Sequence, residues 1–261
     1  MKLKDLSIEE SVVTAMDGDD AEIFPYLPYI LQDFWEIGSS PSDMIELIEK
    51  HTNDYSGLKV LDLGCGKGAV SIRIAEKLES KCWGFDGVCE FIEEANRKAK
   101  EYKVKSLCHF EKADIRDKIN ELRRFDVIIL GAIGQVFGDY YATLTKLKNC
   151  LEPNGIILID DAYIDDLSTF NYSALFKKNE LLRQISEAGM ELIDEKIASD
   201  PEEIKSEHEQ EFDYITFRCN ELIKKHPEQK SLFENYMKKQ REEYEVLENC
   251  VVCLTMVIKE K

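Results

Sequence analysis

The run Val60-Leu61-Asp62-Leu63-Gly64-Cys65-Gly66-Lys67-Gly68-Ala69 sets an acid two residues ahead of three alternating glycines. Glycine permits left-handed turns and lets backbone approach a ligand closely, so Gly64, Gly66 and Gly68 predict a cradle rather than a turn with no ligand. Two further acids follow apolar runs downstream: Asp86 in Trp83-Gly84-Phe85-Asp86-Gly87, and Asp114 in Glu111-Lys112-Ala113-Asp114-Ile115. A ligand with an α-ammonium, a ribose and an exocyclic amine offers each acid a donor, whereas a pyrophosphate gains nothing from a carboxylate beside it. Gly64 to Ala69 also satisfies G-x-G-x-x-A with Asp86 about the right distance downstream, so NAD is the formal competitor.

A second acidic group, Asp160, Asp161 and Tyr163, closes a later apolar run and supplies candidate bases for an acceptor that carries a proton. The alternative for it is an N-cap with solvated loop acids. A divalent metal on Asp160 and Asp161 lacks a third ligand at suitable spacing, so no metal is assigned. Of four histidines, His208 alone lies where a mobile cover would carry it to a substrate, which makes it a candidate base. Cys250 and Cys253 fall on opposite faces of a strand and read as core. Tyr26, Tyr29, Phe34 and Trp35 crowd one segment. Pro28 between the tyrosines suggests a crossing of the cleft mouth, so Tyr26 and Tyr29 are expected near ligand and Phe34 and Trp35 in packing.

The elements that must position these residues alternate. Residues 58–63, 82–86, 106–111, 125–130 and 155–160 read as strands; 68–79, 88–101 and 137–150 read as helices, the last stopped by the turn signal Pro153-Asn154-Gly155. That alternation predicts right-handed βαβ units and a mostly parallel sheet. Residues 1–57 read as helices broken by turns, one opening at Pro41-Ser42-Asp43 with Met44, Leu47 and Ile48 on one face. A polar linker (161–178), a helix (179–188) and a strand (190–198) follow. A helical pair then occupies 201–248, with an apolar stripe of Phe212, Ile215, Cys219 and Leu222, before a last strand at 251–258. The stripe suits docking on its own domain or on a second subunit, so a homodimer stays open.

With 261 residues, 44% of them hydrophobic, the chain buries a sizeable core. Its 52 acidic against 34 basic residues leave a net charge of −18, which disfavours nucleic acid and anionic membranes as partners. Eight irregularly spaced cysteines suggest a reducing cytoplasm, and neither a signal segment nor a spanning run is read.

From about residue 40 to 198 the motif order resembles the class I S-adenosylmethionine-dependent methyltransferases. The resemblance implies a Rossmann-like, seven-stranded, mostly parallel sheet with helices on both faces, its last strand antiparallel beside the fifth. It also implies an N-terminal helical cap and a helical insertion before that last strand. One domain results: cap 1–57, cofactor-binding core 58–200, lid 201–248 and last strand 249–261. The cofactor is S-adenosyl-L-methionine, leaving as S-adenosyl-L-homocysteine. Asp62, Gly64, Cys65, Gly66 and Gly68 match the motif around its methionine part, Asp86 with Gly87 the ribose acid, and Asp114 with Ile115 the adenine subsite. Gly131 and Ala132 match the loop beneath the reacting methyl, and 147–161 the structural fifth-strand motif. The expected activity is methyl transfer to a small acceptor in a lidded cleft. The rivals are a NAD-dependent oxidoreductase and a non-catalytic, cofactor-binding regulatory protein on the same fold.

Overall fold

The computed structural model describes residues 6–198 and 200–261. Its first helix, α1 (Ile8–Ala15), begins at Ser7, whose hydroxyl accepts from the Glu10 N–H while the Glu10 carboxylate accepts from the Ser7 N–H. This reciprocal cap fixes the helix start. A 3₁₀ segment (Ala21–Tyr26) and the single turn α2 (Leu27–Ile30) carry Pro25 and Pro28. Then α3 (Pro41–His51), capped by Ser40, buries Met44, Leu47 and Ile48 as its spacing requires.

The alternating part follows as β1 (Lys59–Leu63), α4 (Ala69–Leu78), β2 (Lys81–Asp86), α5 (Cys89–Glu101), β3 (Cys108–Lys112), α6 (Ile115–Lys118), β4 (Phe125–Gly131), α7 (Tyr140–Leu147), β5 (Leu151–Tyr163), α8 (Lys178–Glu187) and β6 (Met190–Ile197). The helical pair α9 (Pro201–Lys225) and α10 (Lys230–Asn249) precedes β7 (Val252–Glu260). The seven strands lie in the order β3-β2-β1-β4-β5-β7-β6. β7 runs antiparallel to both of its neighbours, β5 and β6. The chain leaves β1 in both directions, to β2 and to β4, which opens a crevice at the carboxyl ends of those strands.

Strand alternation divides the core. Leu61, Leu63, Ile128, Leu130, Ile157 and Ile159 face α7 and α8; Val60, Val127, Ile129 and Leu158 face α3, α4 and α5. The expected end of the 137–150 helix moves. Asp139 caps α7 at Tyr140, and a 3₁₀ turn (Lys148–Cys150) leads straight into β5. Pro153-Asn154-Gly155 is a bulge inside β5, not a turn before it: the register with β4 shifts between Phe125 and Val127, Asn154 has φ +68°, and a Cβ on Gly155 would lie 2.9 Å from the Asp126 carbonyl. A bulge absorbs the missing proline donor without ending the strand.

A third apolar cluster joins the cap to the inserted pair. Val13, Ile23, Leu27 and Ile30 pack with Ile215, Cys219, Leu222, Phe233 and Tyr236, and the cluster reaches Val88 and Phe91 at the start of α5. The stripe on α9 therefore docks on its own chain. Among the described residues no helix is long and apolar enough to cross a membrane.

Candidate functional site

Asp62 is 3% exposed and accepts from the Ser71 hydroxyl of α4 at 2.7 Å. Burial pushes its carboxyl up to about 6, Ser71 opposes the shift, and Asp86 adds to it. A carboxylate offers about four acceptor positions, so Ser71 leaves room for a ligand donor, and a cation there would relieve the burial.

Asp86 joins two turns. Its Oδ2 accepts from the Gly66 N–H and its Oδ1 from the Val88 N–H, each at 2.9 Å. Burial raises its carboxyl, and the N–H groups of Val88, Gly66 and Gly87 oppose that.

The glycine-rich turn offers space more than donors. Gly64 and Cys65 both donate to the Phe85 carbonyl (2.8 and 3.1 Å), Gly68 donates to the Cys65 carbonyl (2.8 Å), and Gly66 donates to Asp86. A Cβ on Gly64 would strike Ile133 at 2.5 Å, whereas one on Gly66, at φ +51°, would meet nothing within 4 Å. The Cys65 thiol is buried, with burial raising its pKa, and packs toward Gly84.

Asp114 is already engaged. It caps α6 by accepting from the Arg116 N–H (2.9 Å), and the Arg116 guanidinium forks onto both its oxygens, which holds its carboxyl below the usual range. Arg116 also donates to the Leu6 carbonyl at 3.0 Å, so the N-terminal segment crosses this end of the crevice. Ile8 and Val12 of α1 cover Gly87, and Ile115 is buried beside Asp114.

At the other end, Gly131 and Ala132 follow β4. Ala132 takes the left-handed φ of +52° and donates to the Asp160 carbonyl at 3.2 Å. Gly38 and Ser39 lie against them: a Cβ on Gly131 would sit 2.6 Å from Ser39 Oγ, and one on Gly38 would sit 2.6 Å from the Ala132 Cβ. Neither Gly38 nor Ser39 carried a sequence signal beyond a turn.

The expected trio of Asp160, Asp161 and Tyr163 is split between the two faces of β5, although Asp160 and Asp161 both line one cavity with Ile133 and Tyr140. Successive residues of a strand point to opposite faces. Asp160 shares the α3 face with its cross-strand neighbours Gly131 and Thr255. Asp161 turns to the other face, where it accepts from the Tyr140 hydroxyl at 2.6 Å. Tyr163 follows it and accepts from Lys178, which also binds Glu195. Burial pushes the Asp160 carboxyl up to about 6, with Ser39 opposing and Asp161 adding.

His208 is held inside the insertion, 3.1 Å from Glu248 and stacked on Tyr244 with ring centroids 4.6 Å apart. The two tyrosines expected near ligand are held by the inserted pair instead. Tyr29 donates to Glu221 at 2.8 Å, and Tyr26 donates to Gln229 and packs edge-on to Phe233. Trp35, expected in packing, does more: its indole N–H donates to the Lys67 carbonyl at 3.1 Å while the ring stacks on Tyr102.

Lys67 is the residue that sequence reasoning missed. It is 6% exposed and its ammonium donates to the carbonyls of Leu31 and Phe34, fastening the glycine-rich turn to the N-terminal cap. A lysine inside a glycine-rich turn reads as solvated until its acceptors, more than thirty residues away, are known.

The methyltransferase domain family matches residues 54–248. A ubiquinone biosynthesis O-methyltransferase of Rickettsia canadensis is 29% identical over 168 residues, covering 57% of this chain and 69% of that protein. Among solved structures, an S-adenosylmethionine-dependent methyltransferase from Geobacter sulfurreducens in complex with S-adenosyl-L-homocysteine superposes with a TM-score of 0.75 at 17% identity, over 91% of this chain and 98% of that one. One from Thiobacillus denitrificans in complex with the same molecule gives 0.73 at 20% identity, over 90% and 98%.

Proposed function

The chain belongs to the class I S-adenosylmethionine-dependent methyltransferases, and from that membership we propose that it methylates a small molecule held in a cleft beneath the helical cap and insertion. The observation that carries the cofactor reading is the commitment of four turn N–H groups, those of Gly64, Cys65, Gly66 and Gly68, to partners within the chain. A dinucleotide pyrophosphate draws on free N–H donors at this position. A ligand with an ammonium draws on acceptors, and Asp62 with the turn's carbonyl oxygens supplies them. The buried Asp62 carboxyl, displaced to about 6, and the open space over Gly66 both fit such a ligand.

In this reading Asp62 serves the ammonium and Asp86 the ribose hydroxyls, its orientation fixed by Gly66 and Val88. Asp114 serves the exocyclic amine once Arg116 yields part of its fork, with Ile115 against the ring. Gly131 and Ala132 form the floor where reaction occurs. When bound, S-adenosylmethionine supplies a methyl group on an already activated sulfonium. The chain's own task is alignment and exclusion of water.

Residues 1–57 and 201–248 act as the cover, and 58–200 with 249–261 as the core of one domain. The cover supports a small acceptor: α1 lies on Gly87, Lys67 binds the Leu31 and Phe34 carbonyls, and Phe91 packs beneath the joined helices. Eight free thiols support a reducing cytoplasm as its setting. The test is incubation with methyl-labelled S-adenosylmethionine and separate pools of amines, phenols and thiols, bulk tRNA, and bulk protein. Label is expected in a small-molecule pool, and label confined to tRNA or protein overturns the small-acceptor reading.

A further inference from the structure

Residues 31–35 lie between the glycine-rich turn and α9 and are gripped from both sides. On the core side the grip is reciprocal. The Lys67 ammonium donates to the Leu31 and Phe34 carbonyls, and the Trp35 indole N–H donates back to the Lys67 carbonyl at 3.1 Å. Lys67 stands between Gly66 (φ +51°) and Gly68 (φ +76°), and its ammonium lies 5.6 Å from the centroid of the Phe91 ring.

On the insertion side, the Arg218 guanidinium of α9 forks onto Asp33 at 2.6 and 2.8 Å. The same guanidinium holds Glu221 at 2.9 Å, and Glu221 accepts from the Tyr29 hydroxyl. Phe34 meets Tyr214 edge-on with ring centroids 5.7 Å apart, and Leu31 packs in the cluster that holds Ile215, Cys219 and Leu222.

The segment has no regular structure of its own to fix it. It runs as turns and bends, with a single backbone turn from the Phe34 N–H to the Leu31 carbonyl at 3.2 Å. Its position is therefore set by what grips it. The glycines on either side of Lys67 leave that backbone a freedom which a ligand resting on the turn removes. A ligand shifts an equilibrium only through its different affinity for the two arrangements. Contact with the turn backbone supplies that difference, because the arrangement selected is the one in which Lys67 reaches residues 31–35 and holds Asp33 toward α9.

Resting on the reading of the turn as the cofactor cradle and of 201–248 as the cover, we propose that residues 31–35 are a strap coupling cofactor binding to the docking of α9. Lys67 and Arg218 are its positioning residues, one at each end. The coupling is reciprocal by thermodynamic necessity. Cofactor in the cradle tightens the insertion, and a docked insertion tightens the hold on cofactor. The cover closes more firmly once the cofactor is in place, so the cofactor binds before the acceptor.

The test is hydrogen–deuterium exchange on the full chain with and without saturating S-adenosyl-L-homocysteine, read over residues 211–225 of α9. The wild type is expected to exchange there about fivefold or more slowly with the ligand, the lower end of ordinary coupling between sites. Lys67→Met and Arg218→Met should each still bind the ligand by calorimetry yet show a ratio close to one in that stretch. Tyr26→Phe removes the Gln229 bond, a contact between cap and insertion outside the strap, and should keep the wild-type ratio. A wild-type ratio near one, a ratio unchanged in both strap variants, or its loss in Tyr26→Phe as well overturns the inference. An unchanged ratio with faster exchange in both states is the mark of a merely structural role. Should Lys67→Met lose the ligand, Arg218→Met decides alone. Failure of the wild type to bind S-adenosyl-L-homocysteine overturns instead the cofactor reading beneath the proposal.

Discussion

Asp86 accepts the Gly66 N–H at 2.9 Å across twenty residues of sequence, so one carboxylate ties the glycine-rich turn to the end of β2. Asp86 is 6% exposed, and a carboxylate with about four acceptor positions keeps capacity beyond the Gly66 and Val88 N–H groups.

Asp86→Ala should therefore lose S-adenosyl-L-homocysteine affinity by about a hundredfold or more, since hydrogen bonds to a charged group contribute about 1.5–3 kcal/mol each. Asp86→Asn keeps one acceptor oxygen and should fall between the two. Titration calorimetry checks both, and wild-type affinity in the alanine variant would remove Asp86 from the site.

Two glycine substitutions separate fold from ligand. Gly64→Ala drives a Cβ into Ile133 and imposes a left-handed φ of +78°, so it should lower the melting temperature of the free protein. Gly66→Ala meets no protein atom within 4 Å and carries only the backbone strain of φ +51°, about 1–2 kcal/mol. It should melt closer to wild type yet lose ligand binding. Equal binding losses that merely track stability would contradict the cradle.

The pH dependence has an unusual sign. Asp62 and Asp160 are raised to about 6 and Asp17 to about 7, against 3.8 when unfolded. The folded chain thus binds more protons than the unfolded chain between roughly pH 4 and 7, and these groups add stability as pH falls through that window. The lowered carboxylates, Asp114 and Asp33 among them, act oppositely but only at more acid pH. The free protein should melt higher at pH 5.5 than at pH 8, while affinity for an ammonium-bearing ligand weakens as Asp62 protonates. Asp62→Asn should flatten part of the melting trend and weaken binding at pH 8. A steady fall in melting temperature from pH 8 to 5.5 would refute this.

Lys67→Met leaves the Leu31 and Phe34 carbonyls without their ammonium. An unsatisfied buried acceptor costs about 1–3 kcal/mol, so amide exchange over residues 31–40 should accelerate while β1 and β4 stay protected. Unchanged exchange in 31–40 would show that the cap is held by apolar packing alone.

The positions of the strands along the chain and the acids at their ends were legible because short apolar runs and glycine spacing are local properties. The antiparallel placement of β7 beside β5 came from the resemblance, since nothing local dictates its insertion between β5 and β6. The divergence of Asp160 from Asp161 was also legible, since alternation along β5 requires it. Tyr26, Tyr29, Lys67 and Ser39 were not legible in this way. Their partners lie far away in the chain, Gln229 for Tyr26 and Glu221 for Tyr29, and an aromatic or lysine carries no local sign of which distant group will claim it. Pro153-Asn154-Gly155 has the composition of a turn and serves as a bulge, a choice made by the neighbouring strand.

Titration of the purified chain with S-adenosyl-L-homocysteine and, separately, with NAD tests the central claim most directly. Saturable binding of the former at one site per chain, with no binding of NAD, is the predicted result. Binding of NAD without S-adenosyl-L-homocysteine would contradict the account and reassign Asp86 to a dinucleotide ribose.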